Sequence, residues 1–257
     1  MYGDYYLSEI DSATGYKILE DKVFFTIDKD ELSLDIYNER LDVPITSISF
    51  STLNLLVCLG IMIFVLISCI FFDKLVIRII SIMMILLGIT YMMLNFNKGY
   101  IDDIKNKKAI LDLKDNKITE NYDEKYKYKA ILSIPSINLE RGIVNIDSEY
   151  NSAKYNIELV DEDSNRIVLA SHNGDYYNSY FGKLNDLELG EVIDYYIDSK
   201  IYRYIYSESY SIKKTGEADI YTDRDKKAMV LITCMDENDD AQVVRIGYLK
   251  EVLPLDT

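Results

Sequence analysis

Hydrophobic and polar positions change texture three times along the chain. Residues 5–10, 23–27 and 32–37 are short runs that alternate or carry β-branched and aromatic residues. Turn formers separate them at 11–15 and 28–30, so three short strands are expected. Residues 52–72 are uncharged and apolar for 21 positions, and residues 75–96 form a second such stretch broken only by Arg78. Each is long enough to cross about 30 Å of hydrocarbon, and only Asp73 and Lys74 lie between them. That pattern predicts a two-helix transmembrane hairpin over 52–96. A stretch rich in Lys, Asp and Asn follows at 97–128 and reads as a polar stalk, helical or extended.

From Ala130 onward the short β-like runs return, at 130–134, 143–146, 166–170, 192–197, 201–207, 228–233 and 242–246. Turn signals such as Asp198-Ser199-Lys200 and Lys214-Thr215-Gly216-Glu217 separate several of them. Many short strands with few helices in so short a span predict a closed β-barrel. The expected organisation is a β segment at 1–48, the hairpin at 52–96, the stalk at 97–128 and a mostly-β domain at 129–257.

Charge refines this picture. The 257 residues carry a formal charge of −15, with no basic stripe to neutralise phosphates, so nucleic acid is excluded as a partner. Lys74 and Arg78 flank the hairpin turn. The positive-inside rule then places that turn in the cytoplasm and both termini outside, making a multi-pass protein of the cell membrane with its C-terminal domain extracellular. Cys58 and Cys69 lie in the first apolar stretch, so no disulfide framework is indicated.

The chain has one histidine, His172, and one cysteine outside the apolar stretches, Cys234. Any Cys/His chemistry must use this pair. A thiolate beside an imidazolium is a competent acyl-transfer nucleophile, with the imidazole serving as general acid and base. No phosphate-cradling glycine loop, zinc spacing or dinucleotide fingerprint is present, and no cofactor is expected. The acidic turn Asp236-Glu237-Asn238-Asp239-Asp240 reads as a solvated hairpin tip, with Ca²⁺ binding as the alternative.

Five ordered blocks carry a resemblance: Ile131-Leu132-Ser133-Ile134-Pro135-Ser136-Ile137-Asn138-Leu139; Ala170-Ser171-His172-Asn173-Gly174; Phe181-Gly182-Lys183-Leu184-Asn185-Asp186-Leu187-Glu188-Leu189-Gly190; Lys214-Thr215-Gly216; and Leu231-Ile232-Thr233-Cys234. Together they resemble the sortases, cysteine transpeptidases of Gram-positive surfaces. The resemblance implies an eight-stranded sortase-type barrel, with Cys234 as nucleophile and His172 as general acid/base. It also implies cleavage of a (Leu/Val)-Pro-x-Thr signal through a thioester, then transfer to a peptidoglycan precursor or pilin amine. Partners would be signal-bearing surface proteins.

The family's arginine, on the strand after the cysteine, aligns here with Gln242 rather than Arg245. Gln242, Val244 and Ile246 share one strand face, so Val244 and Ile246 are the candidate substrate-binding positions. Arg245 points the other way unless a bulge shifts the register.

At the N-terminal end, Gly3-Asp4-Tyr5-Tyr6-Leu7-Ser8-Glu9-Ile10 and Ala13-Thr14-Gly15-Tyr16 resemble the closing strands of prealbumin-like (SpaA or Cna-B-like) adhesin domains. That resemblance gives Glu9 and Asn38 the roles of promoting acid and acceptor amide in an isopeptide bond, in a segment that reads as truncated. Val43-Pro44-Ile45-Thr46-Ser47 ahead of the first apolar stretch resembles a cell-wall sorting signal, with Ser47 in place of the usual glycine. The rival to an enzyme is a non-catalytic adhesin or pilin-assembly scaffold with a degenerate barrel. Hydrolysis without transfer is a third reading.

Overall fold

The structure is a computed structural model that describes residues 3–10, 12–13, 15–19, 21–28, 33–44, 63, 74–115, 122–174, 178–235 and 240–255. It divides into two compact units, one of residues 1–47 with 108–257 and one of residues 48–107.

The first unit is built on an eight-stranded sheet. Its strands are β3 (Tyr128–Ile134), β4 (Leu139–Val144), β5 (Glu158–Glu162), β6 (Arg166–Ala170), β7 (Val192–Ile197), β8 (Lys200–Lys213), β9 (Ala228–Cys234) and β10 (Ala241–Pro254). They follow the order β4-β3-β7-β8-β10-β9-β6-β5, and the two outer strands approach one another, giving a barrel-like sheet. Every neighbouring pair is antiparallel except β6 and β9, which run parallel.

Apolar side chains cover both faces of the central strands. Leu132, Leu159, Leu169, Phe181, Tyr195, Met229 and Leu231 form one cluster. Leu41, Val43, Val168, Ala170, Ala218, Ile220, Val230, Ile232, Val244 and Ile246 form a second. All seven residues of β9 are buried, which is why its sequence is a continuous apolar run instead of an alternating one. A third cluster joins Ala109 and Ile110 to Tyr126, Tyr128, Ile131 and Val144.

Several charged groups inside the sheet meet polar partners. Arg203 makes two parallel bonds of 2.9 Å to the Asp194 carboxylate, and Arg166 reaches Asp161 at 2.8 Å. Arg141 donates to Tyr180 Oη at 2.8 Å and to Asn156 Oδ1 at 3.2 Å.

Towards the N-terminus, β1 (Gly3–Leu7) and β2 (Val23–Ile27) form a two-stranded antiparallel hairpin. The third strand expected at 32–37 does not form over its described residues 33–37. That stretch is held by side chains instead: Asn38 Nδ2 donates to Glu9 Oε1 at 2.7 Å and to Lys17 O at 3.3 Å, and Leu19 N donates to Glu9 Oε2 at 2.7 Å. Glu9 and Asn38 are therefore in direct contact.

The transmembrane hairpin is corrected. Among the described residues no helix is long and apolar enough to cross a membrane. The second apolar stretch is not a bounded span: it is the first part of one helix, α1 (Lys74–Lys114), which continues through Lys98, Asp102, Asp103 and Lys105. The first stretch, 52–72, lies outside the described residues except for Ile63. The multi-pass placement in the cell membrane, with its extracellular catalytic domain, rested on that hairpin and falls with it.

Candidate active site

The parallel pairing of β6 and β9 builds the site. Its register matches Ile167 to Met229, Val168 to Val230, Leu169 to Leu231 and Ala170 to Ile232. Beyond Ala170 the chain leaves the ladder but stays tied to β9. Ser171 N donates to Ile232 O at 3.2 Å, Thr233 Oγ1 donates to Ser171 O at 2.9 Å, and Asn173 Nδ2 donates to Cys234 O at 3.0 Å. The residue between these ties is His172, carried on the same offset that sets Ala170 against Ile232, and so level with Cys234. The amide of Phe181 donates to His172 O at 3.0 Å, fixing the far side of the loop. His172 is half-buried, and Cys234, the last residue of β9, is 3% exposed.

On the other side of Cys234 stands β10. Gln242 is its register partner, followed by Val243 opposite Thr233 and Val244 opposite Ile232. The pairing runs unbroken from Ala241 to Ile246, and the first irregularity falls between Ile246 and Gly247. No bulge therefore exchanges the faces of Gln242 and Arg245. Val244 and Ile246 pack with Val230 and Ile232, which puts Gln242 on the face of Cys234. Arg245 points to the opposite face, where its Nη2 lies 3.5 Å from Asn185 O. The structure thus brings Cys234, Gln242 and the His172 loop together and leaves Arg245 apart.

Val244 and Ile246 are fully buried, because that face is covered. The cover is the chain's own segment 40–44 together with residues 218–220. Gln242 is 1% exposed, and its Nε2 donates to Pro44 O at 3.0 Å.

Sequence reasoning passed over Ser171, Thr233 and Asn173 as positioning groups. They stood inside the quoted blocks, yet only the parallel register reveals that they face one another. Residues 236–239 of the acidic turn lie outside the described residues, and among the described residues no three His, Cys, Asp or Glu side chains gather to hold a metal.

The mostly-β sheet thus sets one imidazole loop beside one strand-end thiol, the candidate pair for cysteine-nucleophile chemistry. The family model described as Sortase domain matches residues 132–247. No curated protein matches. Solved structures similar to this one include sortase A of Listeria monocytogenes, at 17% identity and TM-score 0.41, covering 51% of this chain and 92% of that one. Sortase C-3 of Streptococcus pneumoniae is 20% identical with TM-score 0.44, covering 54% of this chain and 73% of that one. The Clostridium perfringens Sortase D5 transpeptidase is 16% identical with TM-score 0.42, covering 59% of this chain and 99% of that one.

Proposed function

We propose that this chain is a sortase-type cysteine transpeptidase acting on (Leu/Val)-Pro-x-Thr signals of surface proteins. The supporting observation is the triple tie between residues 171–173 and 232–234, which sets His172 level with Cys234. In the first half-reaction the Cys234 thiolate attacks the threonine carbonyl carbon. A C–S bond forms, the C–N bond breaks, and His172 protonates the departing amine. In the second, a cell-wall or pilin amine attacks the thioester, gives its proton to the His172 imidazole, and expels the thiolate.

Gln242 Nε2 is the donor on the reacting face. It supplies a neutral hydrogen bond to a substrate carbonyl or oxyanion where the family uses a guanidinium, so oxyanion stabilisation is weaker here than with arginine. That replacement, and the covered face, are what favour the second reading, a scaffold with a silent barrel.

The test is cleavage and ligation of Val-Pro-x-Thr and Leu-Pro-x-Thr peptides by the full chain with a glycine-based amine acceptor. Ligated product that disappears in C234A and H172A supports transpeptidation. Cleavage without ligation reduces the activity to hydrolysis. Neither product, with either peptide, refutes the enzyme and leaves the scaffold.

A further inference from the structure

Segment 40–44 is placed as a bound peptide would be, and it comes from the chain itself. Leu41 is 0% and Val43 3% exposed, both in the apolar cluster with Ala218, Ile220, Ile232 and Val244, while Arg40 and Asp42 between them face outward. This is the two-residue alternation of an extended strand.

The segment adds itself to the edge of the β8–β9 loop. Asp42 forms an antiparallel bridge with Glu217, and Val43 N donates to Gly216 O at 2.8 Å. Backbone pairing with alternate side chains in apolar pockets is the recognition mode of an added β-strand. Pro44 has no N–H to continue the ladder, and its carbonyl is taken by Gln242, the register partner of Cys234. Outside the groove, Arg40 Nη1 is paired with Glu217 and its Nη2 lies 3.8 Å from Asp219 Oδ1.

The receiving loop is itself braced. Tyr210 Oη accepts from Tyr221 N at 2.8 Å and donates to Asp219 O at 3.2 Å, and the two tyrosine rings meet edge to face at 5.8 Å.

We infer that residues 40–44 occupy, in cis, the peptide groove of their own sortase domain. Val43 and Pro44 stand there in the subsites for the first two residues of a (Leu/Val)-Pro-x-Thr signal. A sorting peptide therefore binds by displacing this tethered ligand. Glu217 and Asp219 hold the segment down through Arg40, and the edge at Gly216, the Ala218–Ile220 wall and the Gln242 amide select an extended aliphatic-proline peptide. The assignment of the groove to signal peptides rests on the function proposed above; the occupancy by 40–44 rests on the contacts alone.

Arg40 is exposed enough that reversing its charge leaves the core intact. R40E, E217R and the double variant R40E/E217R are compared with the unaltered chain. The primary readout is the rate at which iodoacetamide labels Cys234, followed by peptide mass mapping that separates it from Cys58 and Cys69. R40E loses the attractions to Glu217 and Asp219 and gains repulsion from both, so labelling is expected to accelerate about three- to tenfold. The double variant, which restores an opposite-charge pair, is expected to return most of the way. Hydrogen exchange at the Val43 amide should loosen in parallel.

Unchanged labelling together with unchanged Val43 protection in R40E would overturn the occupancy, whether or not the chain cleaves peptides. Faster labelling in R40E with no peptide cleaved by any variant would leave the occupancy standing and remove the transpeptidase reading.

Discussion

Thr233→Val tests how His172 is held. Thr233 is fully buried, and its Oγ1 donates to Ser171 O at 2.9 Å, one residue before His172 and one before Cys234. Valine keeps the shape and removes the hydroxyl. A buried carbonyl then loses this donor, at a cost of about 1–3 kcal/mol. The amide of Ser171 still reaches Ile232 O and Asn173 still reaches Cys234 O, so the loop stays attached but loses its middle tie. Catalysis by a base on a loosened loop falls steeply, because about 1 Å of misplacement can cost a factor near a hundred. Urea denaturation should show the stability loss. Steady-state cleavage of a signal peptide should show kcat down about ten- to a hundredfold with KM little changed, because Thr233 Oγ1 is committed to Ser171. Thr233→Ser, which retains the hydroxyl, should recover most of the rate. A Thr233→Val protein that is less stable yet keeps full kcat would refute the positioning role and leave a purely structural one.

Two further substitutions probe the frame. An added Cβ at Gly142 would lie 1.9 Å from Tyr128 Cδ2, and that ring is buried against Ala109 and Ile110, so Gly142→Ala should destabilise the fold by about 1–3 kcal/mol in thermal melts. Burial raises the Glu158 carboxyl above its ordinary value against the opposing bond from Ala153 N. A raised acid favours the folded state while protonated; that contribution is complete below the unfolded value and is lost as pH rises through the folded one. Glu158→Gln should therefore be more stable than the unaltered chain at neutral pH and equal to it below about pH 4 in denaturant melts.

How far the sequence could be read depended on whether a residue's partners were local. The runs at 166–170, 192–197 and 228–233 stand close to β6, β7 and β9 because continuous or alternating apolar residues mark buried strands. β5 escaped, since Glu158-Leu159-Val160-Asp161-Glu162 is too acidic to read as a strand; Asp161 is tolerated there because Arg166 comes back to meet it. β8 and β10 extend well past the runs at 201–207 and 242–246, and irregularities after Ile246 and Leu249 let the long β10 bend. The apolar stretch at 75–96 carried a strong local signal, yet nothing within it announced that the helix would run on to Lys114. The faces of Gln242 and Arg245 followed from simple alternation. The Pro44 contact to Gln242 could not: it spans 198 positions, and only the fold supplies it.

The central claim is that His172 and Cys234 form one reacting pair. Its most direct measurement is the intact mass of the full chain after mixing with a Val-Pro-x-Thr or Leu-Pro-x-Thr peptide and no amine. The account predicts an adduct equal to the acyl fragment ending in threonine, mapped to Cys234, discharged by added amine and absent in C234A. An unmodified Cys234 after prolonged incubation with both peptides, in the R40E chain whose segment 40–44 is held less tightly, would contradict it.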